Sequence, residues 1–175
     1  MSKRNSNKLT FKIAMGGIFL ALTVIFLCGA AFVPGIELTL FACASFFTAF
    51  MLLETGTGGA LLLYAAASIL GFFLLPNKLA IVPYVFLFGY YGILKFYIEK
   101  MRTAKAQIAV KVIFFAGILT LGLTVFFKTL ASGISLPDYP APVLIIAGTL
   151  LMILYDFIYT YVINFYCSRI RTKIQ

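Results

Sequence analysis

Asp156, set in the apolar run "LLMILYDFIYTYVINF", is the residue of this chain best placed to do chemistry. At helical spacing Thr149, Asp156 and Thr160 share a narrow arc, and Asn164 lies just beside it. An ionisable group at bilayer depth is costly and normally faces protein or water, which makes Asp156 a functional candidate. A protonated or hydrogen-bonded aspartate that ties helices together fits the same pattern equally well. A proton relay would recruit further intramembrane acids or histidines, and the chain has no histidine at all. That absence also removes the commonest general base and the commonest transition-metal ligand. No HExxH, GxSxG or P-loop motif occurs, and no carboxylate cluster suits a metal. "GTGG", Gly56 to Gly59, is read as a turn, because no Lys-Ser or Lys-Thr follows it. Neither an enzyme nor a bound cofactor or metal is expected, and no filter-like segment suggests an ion channel.

Three other features could serve a site. "PNK", Pro76 to Lys78, interrupts two apolar runs, and a turn is its expected job, since proline closes one helix and asparagine suits a tight reversal. Tyrosines crowd the second half of the chain: Tyr84, Tyr90, Tyr91, Tyr97, Tyr139, Tyr155, Tyr159, Tyr161 and Tyr166. Interfacial anchoring is their ordinary use, although Tyr84 and Tyr139 could stack on a flat ligand. Finally, Ala14, Gly17 and Ala21 form a small-residue seam on the first helix, with Cys28 farther along it. Small residues admit a second helix closely, either within this chain, the commoner use, or from a partner subunit.

These residues need elements to position them, and composition decides which. Hydrophobic residues make up 63% of the 175 positions and charged ones 11%. An ordinary globular sequence is about one-quarter charged, so this is a polytopic membrane protein. Continuous rather than alternating apolar runs favour helices over a barrel. Charges and turn residues delimit six spans, approximately 11–33, 36–53, 57–75, 79–98, 108–127 and 141–166, in one all-α transmembrane domain over residues 1–175. The second is short, which sets Glu37 and Glu54 near opposite interfaces. No charge falls between Lys12 and Glu37, too long a run for a signal core, so a retained first helix is expected. Cys28, Cys43 and Cys167 have no framework spacing and read as unpaired thiols.

The charge of +9 is divided among loops rather than spread along a polar face, which argues against nucleic acid. Lys3, Arg4, Lys8, Lys12, Lys95, Lys100, Arg102, Lys105, Lys111, Arg169, Arg171 and Lys173 all fall on one side of the six-span arrangement. Only Lys78 and Lys128 fall on the other. Both termini are therefore expected in the cytoplasm. The outer face then carries "PGIE", "PNK" and the longer "KTLASGISLPDYPAP", Lys128 to Pro142, a lid or a plain surface loop. Lys78 lies on that face against the orientation signal, which keeps it as a candidate binding residue.

The opening "NKLTFKIAMGGIFLALTVIF", with its small-residue pair, and the topology together resemble the substrate-binding S component of energy-coupling factor (ECF) transporters. Gly17 and Ala21 stand where that family tends to have an AxxxA pair, so the match departs by one glycine. The resemblance covers the whole chain as topology and the first helix as motif. It implies a bacterial plasma-membrane protein that binds a vitamin-like or other small polar molecule. The pocket would lie near the outer face, with Asn77, Lys78, Tyr84, Lys128, Asp138 and Tyr139 as position-matched candidates and Asp156 below them. Ala14, Gly17 and Ala21 would contact a transmembrane coupling subunit, and separate ATPase subunits would supply energy. The alternative is a non-transporting envelope scaffold, comparable in size and topology to the MreD-like cell-shape proteins, needing partner helices and no pocket. A carrier acting alone through Asp156 is a third expectation.

Overall fold

The computed structural model describes residues 2–33, 35–101, 103–122 and 141–171. Among the described residues the chain is all-helical. Six α-helices follow in order: α1 (Ser2–Phe32), α2 (Glu37–Thr55), α3 (Thr57–Leu74), α4 (Tyr91–Glu99), α5 (Ala104–Leu121) and α6 (Ala141–Tyr166). Four stretches, Thr10–Phe32, Glu37–Thr55, Thr57–Leu74 and Ile145–Arg169, are long and apolar enough to cross a membrane. Apolar side chains such as Ile13, Ile25, Phe32, Leu62, Phe73, Ile113 and Phe157 are exposed. In water that surface would be a liability; in lipid it is the expected exterior.

The chain forms two compact units. The first comprises residues up to Phe96 together with those from Val162 onward; the second is Tyr97–Tyr161.

In the first unit α1, α2 and α3 pack on one another. Ala30, Ala44, Ala49, Ala60 and Ala67 are all buried at the contacts, beside Leu27, Phe41 and Leu63. Without a hydrophobic drive between helices in lipid, close approach through small residues is what brings dispersion contacts into range. Gly56 makes the α2–α3 reversal in a single residue. Its backbone (φ 84°, ψ −175°) is a conformation essentially restricted to glycine, and its N–H donates to the Leu52 carbonyl at 2.9 Å. Gly35 (φ 94°) plays the corresponding part before α2, where its N–H donates to Glu37 Oε2 at 2.9 Å.

The expected fourth span, 79–98, is not one continuous α-helix. A 3-10 turn (Lys78–Ile81) is followed by a π-helical turn (Tyr84–Phe88), and only Tyr91–Glu99 is regular α-helix. Pro83 is the cause: it has no N–H to give, and its ring clashes with the carbonyl four residues back. The helix therefore tightens before the proline and widens after it, with Gly89 N–H donating to the Tyr84 carbonyl at 2.6 Å, five residues back. The 3-10 turn packs against α3, where a Cβ on Gly71 would collide with Ile81. Of the expected fifth span, α5 supplies the described part.

In the second unit, α5 and the adjoining length of α6 bury Phe115, Met152, Tyr155 and Tyr159. A Cβ on Gly148 would meet the Leu119 side chain at 3.0 Å, a close approach of α5 and α6.

Candidate functional site

Polar groups in an apolar interior must find partners or lose free energy. Each unit holds one polar pair of note, and the two pairs differ in how far their needs are met.

Within the first unit the π-turn gathers hydroxyls. Tyr84 opens the turn and is fully buried; Thr48, from α2, is fully buried as well. The two hydroxyls approach each other without reaching hydrogen-bond geometry, and neither oxygen has another hydrogen-bond partner among the described residues. Tyr64, from α3, donates its phenol to the Val85 carbonyl at 2.9 Å, a backbone group inside the π-turn. Its ring stands 6.5 Å from that of Tyr84 and edge-on to Tyr90 at 6.1 Å. Gly89 lets Tyr64 in: a Cβ there would come within 2.7 Å of the Tyr64 ring. Phe41 and Phe88 close one side, their centroids 6.3 Å apart. π-Turns recur at functional sites because the widened backbone re-aims side chains that a regular helix would hide. Here it holds two uncommitted hydroxyls amid aromatic rings, a combination able to hydrogen-bond and stack a small polar molecule.

In the second unit Asp156 is paired. Lys111, on α5, donates to Asp156 Oδ2 at 2.7 Å, with side chains 13% and 16% exposed. Lys111 also reaches Glu99 Oε1 at 3.4 Å. Gln107, one turn earlier on α5, donates to the carbonyls of Glu99 and Met101 at 3.3 and 2.8 Å, fastening α5 to the chain before it. Thr149 and Thr160, which share an arc with Asp156, instead donate back to Ile145 and Asp156 carbonyls of their own helix. Asn164 is exposed. The arc is thus not a row of ligating groups, and the aspartate's ammonium partner comes from 45 residues earlier in the chain.

The remaining sequence-derived candidates are scattered. Asn77 is exposed, and its carbonyl accepts from Ala80 N–H at 3.1 Å, closing the turn before the 3-10 segment. Lys78 caps α3: its ammonium donates to the carbonyls of Phe73 and Leu75 at 3.2 and 3.0 Å and sits 5.4 Å from the centre of the Phe72 ring. Those carbonyls belong to the orphaned end of the helix, where a cation is favoured. Of the candidates only Tyr84 belongs to the π-turn cluster. Lys128, Asp138 and Tyr139 lie outside the described residues. Ala14, Gly17 and Ala21 are exposed, and a Cβ on Gly17 would meet nothing within 4 Å. Among the described residues nothing packs on Gly17, and the seam is left exposed.

Several residues escaped sequence reasoning. Thr48 carried no signal beyond a hydroxyl in a greasy helix. Tyr84, Tyr91, Tyr155, Tyr159 and Tyr166 are buried within the protein. Lys95 and Lys111, which the sequence presents only as orientation charges, have further surroundings: Lys95 is 1% exposed and Lys111 is the ion-pair partner of Asp156. Pro83 followed by aromatic residues was the one available hint that the fourth segment bends. Among the described residues no group of His, Cys, Asp or Glu is arranged to hold a metal ion.

No protein-family model, no curated protein and no solved structure matches this chain.

Proposed function

We propose that this protein is the membrane-embedded, substrate-binding subunit of a bacterial uptake transporter, taking a vitamin-like or other small polar molecule. The observation that carries this reading is the pair of fully buried, unpartnered hydroxyls of Thr48 and Tyr84 beside the π-turn. Burying a hydroxyl without a hydrogen bond costs about 1–3 kcal/mol. A fold that keeps two of them together retains that penalty for some use, and ligand capture through a stack of tyrosines is one that matches their chemistry. The exposed Ala14–Gly17–Ala21 face supports the second half of the proposal. A coupling subunit can approach α1 at Gly17 without displacing a described side chain. Energy comes from separate ATPase subunits, and the chain runs six times through the plasma membrane with both termini inside.

Affinity purification in mild detergent tests the assembly: the coupling subunit and ATPases should come down with the wild type and be lost with Gly17→Leu. Native mass spectrometry tests the ligand: a small molecule should accompany the wild type and be absent from Thr48→Val and Tyr84→Phe, both of which still fold. Isolation without partners or ligand across several detergents would overturn the proposal.

The exposed seam is also what a non-transporting envelope scaffold would show. In that case Gly17→Leu abolishes function, whereas Thr48→Val and Tyr84→Phe leave it intact.

A further inference from the structure

The first unit contains an apolar groove of about 450 Å³ lined by Met15 and Phe19 of α1, Phe47 and Phe50 of α2, and Val162, Phe165 and Tyr166 of α6. Its volume lies in the range of about 300–1,000 Å³ usual for small-molecule pockets. Phe50 and Tyr166 stack at 4.2 Å, and Phe47 stands edge-on to Phe50 at 6.2 Å, so the wall is built of interlocked rings.

Each helix carries its stripe of lining residues one or two turns farther to a charge at the same end. On α1, Lys12 precedes Met15 by three residues and Phe19 by seven, on one face. On α2, Glu54 follows Phe50 by four. After α6, the π-helical segment Cys167–Arg171 puts Arg169 one wide turn beyond Phe165. The ends coincide because a Cβ on Gly16 would meet the Met51 side chain at 3.1 Å, and Tyr166 donates to Glu54 Oε1 at 3.3 Å. Glu54 is thereby engaged with the wall of the groove itself. Lys12 and Arg169 are exposed and make no hydrogen bond or ion pair among the described residues.

An apolar slot in a membrane protein, whose lining faces on α1 and α6 run on to the exposed cations Lys12 and Arg169, fits a molecule that is apolar along its length and anionic at one tip. We infer that the groove holds an acyl chain of an anionic phospholipid whose phosphate sits between Lys12 and Arg169. Basic positions between helices at a membrane interface recognise anionic head groups in this way, and long basic side chains reach the interface while their stems lie along apolar surface. This lipid site is distinct from the Thr48–Tyr84 cluster and does not depend on it.

The test uses the full chain purified in detergent, with phosphatidylglycerol or phosphatidylcholine of identical acyl chains added back, and with glycerol phosphate as a soluble control. Native mass spectrometry should retain one phosphatidylglycerol in preference to phosphatidylcholine, and glycerol phosphate should not displace it. Lys12→Ala and Arg169→Ala should each lower that preference about fivefold, as expected for one basic residue at an anionic membrane surface. Val162→Phe, which fills the groove, should reduce retention of both lipids. Equal retention of the two lipids, a preference unmoved by both charge variants, or displacement by glycerol phosphate would overturn the proposal. So would recovery of a second polypeptide, in place of lipid, that Val162→Phe releases. Circular dichroism of each variant confirms that the helices persist.

Discussion

The Lys111–Asp156 pair and the Thr48–Tyr84 pair set two polar contacts in two different units of one apolar protein, and they differ in whether their needs are met. Lys111 and Asp156 meet at 2.7 Å, a charge-assisted bond that answers the cost of each ion's desolvation. Thr48 and Tyr84 are more deeply buried and go unanswered. The Lys111–Asp156 pair joins α5 to α6 and commits a carboxylate oxygen and an ammonium to each other. An unsatisfied pair lowers stability and holds bonding capacity in reserve. Depth in the membrane makes Asp156 a functional candidate and a helix tie on equal terms, and its pairing with Lys111 is what a tie requires.

That contrast breaks most visibly if the charged pair is cut. Lys111→Met leaves the Asp156 carboxylate buried without its ammonium and should destabilise by about 3–5 kcal/mol, as removal of one member of a buried pair does. Asp156→Leu alone should do the same from the other side. The double variant should be milder than either single, since two apolar residues can replace a buried pair at little net cost. Reversible unfolding in mixed micelles reads all three. If Asp156→Asn abolishes transport while stability holds, the aspartate is functional and the contrast fails.

A smaller loss is expected at the edge of the π-turn. Tyr64→Phe removes the donor to the Val85 carbonyl and should cost about 1–2 kcal/mol, with little change in helix content. The opposite sign is expected next door. Thr48→Val and Tyr84→Phe delete hydroxyls that make no well-formed hydrogen bond among the described residues, so each should leave stability unchanged or raise it by about 1 kcal/mol while ligand retention is lost. Three substitutions around one turn, two of them on neighbouring tyrosines, therefore separate fold from binding. Destabilisation by Thr48→Val would show that its hydroxyl is bonded after all.

Much of the fold was legible from the chain itself. Apolar runs of spanning length delimit α1, α2, α3 and α6, and Gly56 and Gly35 mark the reversals between them. The fourth segment was less legible, since hydropathy averages over 20 residues and is blind to Pro83, whose effect is local and steric. The site was less legible still. Lys111 and Asp156 are 45 residues apart, and no periodicity within one helix predicts a partner on another. Counting basic residues for orientation treats each lysine as a solvated charge and carries no information on the burial of Lys95 or the ion pair of Lys111. Tyr84 could be named as a stacking residue from its type; that its hydroxyl would meet Thr48 required α2 to be placed against the π-turn.

Lys78 supplies the finest test of the same distinction, because it is polar, placed in the turn that follows α3, and satisfied. Its ammonium already serves two carbonyls at the end of α3 and the face of Phe72. A cation in that position is worth about 0.3–1 kcal/mol while exposed, so Lys78→Met should lower the melting temperature slightly and leave ligand affinity where it was. Lys78→Arg, which keeps the charge, should restore most of the stability. Should Lys78→Met instead weaken ligand binding tenfold with no change in melting, the lysine leaves its cap to meet the ligand, and commitment in one conformation would no longer separate structural from functional polar groups here.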